Sequence, residues 1–333
     1  MGKCINDGED DLMNILILSA GTRNKLVQYF KKAFKDNGKV VCTDLTEYAP
    51  AIYDADIYYI VPPISDKNYI QTILDICKKE NIDGIISLID PELELLAENK
   101  SLFEDIGTKL ILSPESVVKS SFDKYEFYKE LKEKKFNSQK TYLGLKDTME
   151  AINKNELTYP VFVKPNTGSA SLNIQKVSDA ETLSLIYSNS QKELITQEFI
   201  NGKEYGIDVY IDLISKKVIS IFIKEKLKMR AGETDKSIAV KNDEITKLVK
   251  DFVETMGYLG PIDIDLFEQD GKYYISEVNP RFGGGYLHAY LAGCDFPMFI
   301  LNNLKGIIND SKIDNYESGS VMMKYNEVKL LEA

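Results

Sequence analysis

Three oxygen donors near the C-terminal end are the residues of this sequence best suited to chemistry. Asp265 stands twelve residues before Glu277, and Asn279 follows two residues later. The two apolar stretches that carry them are joined by an Asp-Gly pair, which is typical of a tight β-hairpin turn. Residues two apart in a strand share a face, so Glu277 and Asn279 project together. Carboxylate and amide oxygens suit a hard cation such as Mg²⁺, although a solvated polar face explains the same pattern.

A lysine and a small-residue loop form a second group of candidates. Lys164 ends an apolar strand just before a proline, and residues 166–171 follow it as a loop of small side chains. Gly168 and Ser169 in this loop can lay backbone N–H groups against phosphates without obstruction. A turn that binds no ligand explains the glycine equally well. It does not explain the lysine at the strand end.

Further charged residues extend the pattern. Glu198 interrupts an apolar strand and Glu204 follows shortly after it, and such carboxylates can accept hydrogen bonds from an adenine amino group and a ribose. Arg281 lies just beyond Asn279 and offers phosphate a rigid, charged fork. Arg230 belongs to a run of cations at 224–234, for which a solvated loop is the alternative interpretation. Gly283, Gly284 and Gly285 permit a close backbone approach or a flexible connection.

Two sequence patterns, one in each half of the chain, predict the elements that position these residues. Apolar strands alternate with helical patterns over residues 13–113, which indicates a Rossmann-like α/β domain with a parallel sheet. Its first turn, at 21–24, holds one glycine, so the dinucleotide fingerprint is missing and a nicotinamide cofactor is disfavoured. The turn either faces a small anionic ligand at a helix N-terminus or merely connects the strand to the helix. From residue 159 the strands pair as hairpins, which predicts an α+β region with mainly antiparallel sheets. We expect a disordered extension at 1–12 and domains at 13–113, 114–190 and 191–333.

Composition excludes several functional classes. The formal charge of -11 disfavours nucleic acid as a partner, because polynucleotide binding needs a basic face. The four cysteines are scattered and form neither a metal motif nor a disulfide framework, so buried reduced thiols are expected. No apolar run is long enough to span a membrane, and we expect a folded cytoplasmic protein. The only histidine, His288, has no nucleophile motif beside it and is interpreted as structural.

Taken in order, these motifs resemble those of the ATP-grasp superfamily, most closely its branch similar to the halves of the carbamoyl-phosphate synthase large subunit. The resemblance covers nearly all of the chain after Met13 and depends most on Asp265 followed by the Glu-x-Asn-Pro-Arg pattern at 277–281. It implies a Rossmann-like domain before a two-subdomain ATP-grasp fold that uses ATP and Mg²⁺, with Mn²⁺ as an alternative metal. The roles that it implies cover phosphate contact (Lys124, Lys164, Gly168, Ser169), adenine and ribose contact (Glu198, Phe199, Ile200, Glu204), metal binding (Asp265, Glu277, Asn279) and stabilisation of the transferred phosphoryl or acyl phosphate (Arg281, Arg230).

The function implied by the resemblance is ATP-dependent ligation of a carboxylate to an amine. A small carboxylate is phosphorylated to an acyl phosphate, and an amine or ammonia then displaces the phosphate. Three alternatives stay open: chemistry like that of carbamoyl-phosphate synthase, a kinase-like transfer that stops at the phosphorylated carboxylate, and a non-catalytic ATP-binding module. The turn at 21–24 and the Arg230 segment are expected to border an acceptor site for an anionic substrate such as an amino acid. A homodimer is left open.

Overall fold

A computed structural model describes residues 12–168 and 174–331. The expected N-terminal extension therefore lies outside the described residues except for Leu12, and Ser169 of the predicted phosphate loop lies outside them as well. Within the described part, no helix combines the length and apolar character needed to cross a membrane.

The first domain is a parallel five-stranded sheet covered by helices, as the alternating pattern predicts. Its strands have the order β3-β2-β1-β4-β5, so the strand order reverses between β1 and β4. The three central strands β1, β2 and β4 are short, mainly apolar and buried, whereas residues of the edge strands β3 and β5 are partly exposed. The elements are β1 (Asn14–Leu18), α1 (Asn24–Phe34), β2 (Val40–Asp44), β3 (Ile57–Ile60), α2 (Tyr69–Glu80), β4 (Ile82–Ser87), α3 (Asp90–Glu98), α4 (Lys100–Glu104) and β5 (Lys109–Leu110).

Two helices connect this domain to the rest of the chain. They are α5 (Glu115–Phe122) and α6 (Lys124–Glu133). The side chain of Asp123 caps α6 by accepting hydrogen bonds from the backbone N–H groups of Tyr125 and Glu126, which satisfies donors that a helix start leaves unpaired. The cap fixes the point at which α6 begins, and with it the position of Lys124.

A small antiparallel sheet follows, with the order β6-β9-β7-β8. Strand β9 lies between β6 and β7, so the expected boundary at 190 passes through this sheet. We propose that the small subdomain ends after Glu198. The elements are β6 (Thr141–Leu143), α7 (Gly144–Asn153), β7 (Val161–Pro165), β8 (Gln175–Val177), α8 (Ala180–Asn189) and β9 (Leu194–Glu198).

The large subdomain is built on a six-stranded antiparallel sheet with the order β14-β13-β10-β11-β12-β15. The run of cations at 224–230 belongs to the strand β11 and is not a loop. Lys224 at its start is fully buried, whereas residues 227–230 at its end are exposed, so only the end of the run is solvated. The elements are β10 (Lys203–Ile211), β11 (Val218–Arg230), β12 (Glu233–Val240), α9 (Asp243–Met256), β13 (Gly260–Gln269), β14 (Lys272–Asn279), α10 (Tyr286–Leu291), α11 (Phe296–Leu304) and β15 (Val321–Met323).

One apolar core joins the first domain to the large subdomain. Buried side chains of α1, β1 and β2 pack with buried side chains of α10 and α11. The ring centroids of Phe30 and Phe282, one from each domain, are 5.7 Å apart. This packing brings the C-terminal ends of β1 and β4 next to the end of the β13–β14 hairpin.

Candidate active site

The β13–β14 hairpin brings the three predicted metal ligands together. Asp265 lies directly opposite Glu277 in the antiparallel register, and Asn279 lies opposite Asp263. Directly opposed residues of an antiparallel pair have Cβ atoms about 5 Å apart. The two carboxylates and the amide therefore form one patch of oxygen donors, as the sequence spacing predicts.

Two lysines face this patch from the small subdomain. Lys164 on β7 is buried, and its Nζ lies 3.7 Å from Glu277 Oε2. Burial lowers the pKa of the Lys164 ammonium below its usual range, although Glu277 acts in the opposite direction. Lys124 donates a hydrogen bond to the carbonyl of Gly168 at 2.6 Å. Asp90 lines one pocket together with Lys124, Gly168, Glu277 and Asn279.

Lys226 is a site residue that the sequence interpretation missed. Its ammonium lies 2.7 Å from Glu204 Oε1 and 2.6 Å from Asp265 Oδ1, so it connects the predicted ribose contact with the predicted metal ligand. The spacing of Lys226 from Lys224 could have identified it, because residues two apart in a strand share a face. Lys224 itself forms a fully buried ion pair with Asp208 on β10.

Asp90 is a second residue that was missed. Arg281 Nη2 donates to Asp90 Oδ2 at 2.7 Å and to Asn279 Oδ1 at 3.1 Å, so an ion pair links the two domains at the end of the hairpin. Burial acts to lower the pKa of the Arg281 guanidinium, but Asp90 raises it above its ordinary value. The aspartate opens α3 directly after β4, and this position at the C-terminal edge of a parallel sheet was the available signal.

The predicted adenine residues end the strand β9 and continue beyond it. Glu198 pairs through its backbone with Lys140, and its Oε2 accepts from the Lys140 N–H at 3.3 Å. The Phe199 ring packs edge-on against Phe162 of β7 with centroids 5.3 Å apart. Ile200 is buried. These contacts fix the segment next to the strand that carries Lys164.

The donor set fits a divalent cation that also binds phosphate. Burial raises the pKa of Asp265 to about 6 even though Lys226 pairs with it, and the nearby carboxylates add to the rise. In the described part of the chain, no group of three or more His, Cys, Asp and Glu side chains is arranged so that it could hold a metal ion by itself. Mg²⁺ is commonly held by one or two carboxylates, waters and substrate phosphates. Asp265, Glu277 and Asn279 match that partial set.

The structure does not bring Arg230 into contact with these residues. Its side chain is half-exposed and its Nε lies 3.1 Å from Asp235 Oδ1, so its predicted role at the acyl phosphate stays a prediction. His288 is buried between Ser237 and Ser320, whose hydroxyls lie 2.8 and 3.1 Å from its two ring nitrogens. That environment agrees with the structural role expected for it.

The three glycines after Arg281 are required by close packing. A Cβ on Gly283 would stand 2.3 Å from Asp263 Cγ, and one on Gly284 would stand 2.9 Å from Arg23 Nη1. A Cβ on Gly285 would stand 2.6 Å from the Lys224 side chain. Such distances are far shorter than van der Waals contact. The segment therefore passes close to charged side chains, which is the first of the two interpretations that the sequence left open.

Family models match most of the described chain in two blocks. Residues 15–111 match the N-terminal domain of PylC-like proteins, and residues 121–285 match an ATP-grasp domain. The chain is 26% identical over 174 residues to a D-alanine–D-alanine ligase of Ruminiclostridium cellulolyticum, which covers 46% of each protein. It is 25% identical over 147 residues to the same enzyme of Francisella philomiragia, covering 41% of this chain and 50% of that one. The chain thus spans about half the length of these curated relatives.

Solved structures share the fold across nearly the whole chain. The biotin carboxylase domain of the 2-oxoglutarate carboxylase of Hydrogenobacter thermophilus superposes with a TM-score of 0.75 at 18% identity, covering 93% of this chain and 73% of that one. N5-carboxyaminoimidazole synthetase of Staphylococcus aureus gives 0.71 at 18% identity, with coverage of 90% and 80%. The L-amino acid ligase of Bacillus licheniformis gives 0.69 at 20% identity, with coverage of 90% and 75%. At such low identities these structures show the fold of the chain alone.

Proposed function

Because the chain belongs to the ATP-grasp superfamily, we propose that it is an ATP- and Mg²⁺-dependent ligase that joins a small carboxylate to an amine. The observation that carries the proposal is the approach of two lysines to an acidic hairpin. The buried Lys164 lies 3.7 Å from Glu277, and Asp265 lies opposite Glu277 in the hairpin. Lys124, which is half-buried, lines one pocket together with Glu277 and Asn279. The resemblance to carbamoyl-phosphate synthase halves supports the superfamily, and the particular branch stays a prediction.

The lysines and the adenine segment hold the nucleotide in this proposal. Lys164 and Lys124 pair with its phosphates, and their charge offsets the repulsion that the acidic hairpin would exert on a triphosphate. Glu198 and the backbone of Ile200 contact the adenine edge, with Phe199 beside them, and Glu204 accepts from the ribose. When bound at Asp265, Glu277 and Asn279, Mg²⁺ supplies charge neutralisation for the β- and γ-phosphates.

The reaction proceeds in two displacements. A carboxylate oxygen of the substrate attacks the γ-phosphorus of ATP, the bond to the bridging oxygen breaks, and ADP leaves with the electron pair. The nitrogen of a neutral amine then attacks the acyl carbon, the C–O bond to phosphate breaks, and inorganic phosphate and one proton leave. Arg281 lies between the domains, where its guanidinium balances the charge of the transferred group. Positioning and charge neutralisation are sufficient for both steps, so a covalent protein nucleophile is not required.

An ADP-release assay over pools of carboxylates and amines tests the proposal. We expect release that requires both a carboxylate and an amine, with phosphate formed in equal amount. A phosphorylated carboxylate that accumulates without an amine would indicate kinase-like chemistry instead. If the protein binds Mg²⁺-ATP but no pool accelerates ADP release, the protein would be a non-catalytic ATP-binding module.

The charge of Glu277 provides the sharpest variant for this assay. Glu277→Gln keeps the size of the side chain and removes a carboxylate that faces Lys164, so turnover should fall by at least about 100-fold while the fold is retained. Glu254→Gln makes the same chemical change at an exposed position of α9 and serves as the matched control. Wild-type rates in Glu277→Gln would refute the assignment of the metal set.

Location and assembly belong to the same proposal. We place the enzyme in the cytoplasm, where ATP is abundant, and the unpaired state of the buried Cys42, Cys77 and Cys294 supports a reducing compartment. A homodimer stays a prediction, which light scattering of the purified protein tests directly.

A further inference from the structure

Asp263 is a carboxylate of the site for which the predicted metal and nucleotide roles leave no task. It stands two residues before Asp265 on β13, so both side chains project from the same face of the sheet. It is half-buried, and among the described residues its carboxylate has no hydrogen bond or ion pair. A carboxylate that is partly withdrawn from water and has no direct partner is stabilised when a cationic group binds to it.

The backbone around Asp263 is shaped to accommodate its carboxylate. Gly283 packs so closely that a Cβ there would stand 2.3 to 2.6 Å from the Asp263 carboxylate atoms. Only glycine therefore lets this side chain lie against the segment that follows Arg281. The carboxylate also interacts electrostatically with Arg23 of the first domain and with Arg281, which places it near the gap between the two domains.

The other ionic groups around this gap are already paired. Arg281 holds Asp90 at 2.7 Å, and Arg23 Nη2 lies 2.9 Å from Glu233 Oε1. Burial lowers the pKa of the Arg23 guanidinium, while Glu233 and Asp263 act to raise it, so Asp263 is electrostatically coupled to Arg23 without a direct bond. Asp263 is the carboxylate of this group that remains free to bind a ligand.

The topology places the group where α/β domains bind their ligands. Arg23 follows β1 and Asp90 follows β4, and the strand order of the first domain reverses between these two strands. Ligands of open parallel sheets bind in the crevice at the carboxyl ends of the strands at such a reversal. Asp263 and Arg281 face this crevice from the large subdomain, beside the acidic hairpin.

We propose that Asp263 is the specificity-determining residue for the carboxylate substrate and that it binds an ammonium group on the carbon next to the reacting carboxylate. This inference rests on the proposed ligase function and assigns its substrate class, the α-amino acids. An ammonium and its neighbouring carboxylate lie within about 3 Å of each other by bond geometry. A substrate held at Asp263 by its nitrogen therefore keeps its carboxylate close to the guanidinium groups of Arg23 and Arg281.

The charges of the crevice distinguish this substrate class from a simple carboxylate. A des-amino carboxylate bound next to Asp263 would bring a second negative charge to that carboxylate without supplying a positive one, which costs binding free energy. An α-amino acid brings a positive charge to Asp263 and a negative charge to the arginines. Asp263 thus attracts the ammonium group of a zwitterion and repels a carboxylate that lacks one.

Calorimetric titration tests this assignment without relying on turnover. The wild-type protein, saturated with Mg²⁺ and a non-hydrolysable ATP analogue, is titrated with the common L- and D-amino acids and with propionate, butyrate and the other matched des-amino acids. We expect at least one amino acid to bind about 100-fold more tightly than its des-amino counterpart. Asp263→Asn should weaken the binding of that amino acid by about 30- to 100-fold, because the substitution removes one partner of a charge pair. The affinity for the des-amino acid should stay nearly unchanged.

Two further variants separate this role from the alternatives. Asp270→Asn makes the same chemical change at the exposed turn of the same hairpin and should bind every ligand like the wild type. Asp265→Asn reports what the loss of a metal ligand does to Mg²⁺-dependent binding of the ATP analogue. If Asp263→Asn weakens the analogue as much as Asp265→Asn does, Asp263 belongs to the metal set and the assignment is overturned.

The outcomes also separate this inference from the proposed function. Amino-acid binding that depends on Asp263, without ADP release by any carboxylate and amine, refutes the ligase function and supports the ammonium site. ADP release with des-amino carboxylates as efficient as with amino acids supports the ligase function and overturns the ammonium site. Absence of amino-acid binding to the wild-type protein overturns the ammonium site as well.

Discussion

Replacing Asp90 with asparagine tests whether one ion pair couples the two domains at the site. Asp90 and Arg281 have side chains only 8% and 11% exposed, and the bond between them is 2.7 Å long. Removing one partner of a buried pair typically costs about 3–5 kcal/mol, because the other charge is left buried. Here Asn279 keeps a 3.1 Å bond to the guanidinium, and Asp263 and Glu277 still act on it. We therefore expect Asp90→Asn to lower the free energy of unfolding by about 2–3 kcal/mol.

A double-mutant cycle isolates the pair from the side effects of each substitution. Asp90→Asn, Arg281→Met and the double variant are unfolded in urea and followed by circular dichroism and tyrosine fluorescence, which suits a chain without tryptophan. The double variant should lose about 1.5–2 kcal/mol less than the sum of the single losses. Glu150→Gln removes the exposed Glu150–Lys154 pair, 2.6 Å long, and should cost less than about 1 kcal/mol.

The reasoning is refuted by either of two results. One is a coupling free energy below about 0.5 kcal/mol, which would mean that the pair contributes no more than a surface ion pair. The other is a loss in Asp90→Asn no larger than the loss in Glu150→Gln. Both would show that Arg281 is held by its other neighbours and that the domains are joined by apolar packing alone.

Two further predictions concern residues that support the site. Burial lowers the pKa of His288 to about 4 from its ordinary 6.5, so the unfolded chain binds more protons between these values and the free energy of unfolding should fall as the pH drops from 7 to 5. His288→Gln should reduce this loss by about 1–2 kcal/mol. The free energy of unfolding is measured by urea titration at several pH values, and an equal dependence on pH in the two proteins would contradict the assignment. Gly283→Ala should destabilise the fold by about 1–3 kcal/mol through the clash with Asp263. Adding Asp263→Ala should restore part of that stability, whereas additive losses would show that the clash is not the cause.

Local sequence patterns were sufficient for most of the fold. Uninterrupted apolar strands alternating with helices predicted the parallel first domain, and the Asp-Gly turn at 270–271 predicted the β13–β14 hairpin with its register of donors. These predictions succeeded because strand alternation and turn chemistry act over a few residues. The sequence left a solvated loop open at 224–230, where the structure has a strand whose first residue, Lys224, is buried. Lys224 and Lys226 are buried because carboxylates on β10 and β13 neutralise them, and a single strand does not reveal such partners.

The chemistry of the hairpin follows from local sequence, since Asp265, Glu277 and Asn279 are brought together by a turn between neighbouring strands. The residues that face that hairpin come from distant parts of the chain and depend on how the domains pack. Asp90 is 191 residues from Arg281, and its role depends on α10 and α11 packing against α1 so that the first domain reaches the site. Asp263 belongs to the hairpin, yet its contact with Gly283 depends on the path of the chain after Arg281, which the hairpin pattern does not predict. Long-range packing selects among contacts that no local pattern encodes, and the proposed substrate-binding side of the site is formed by those contacts.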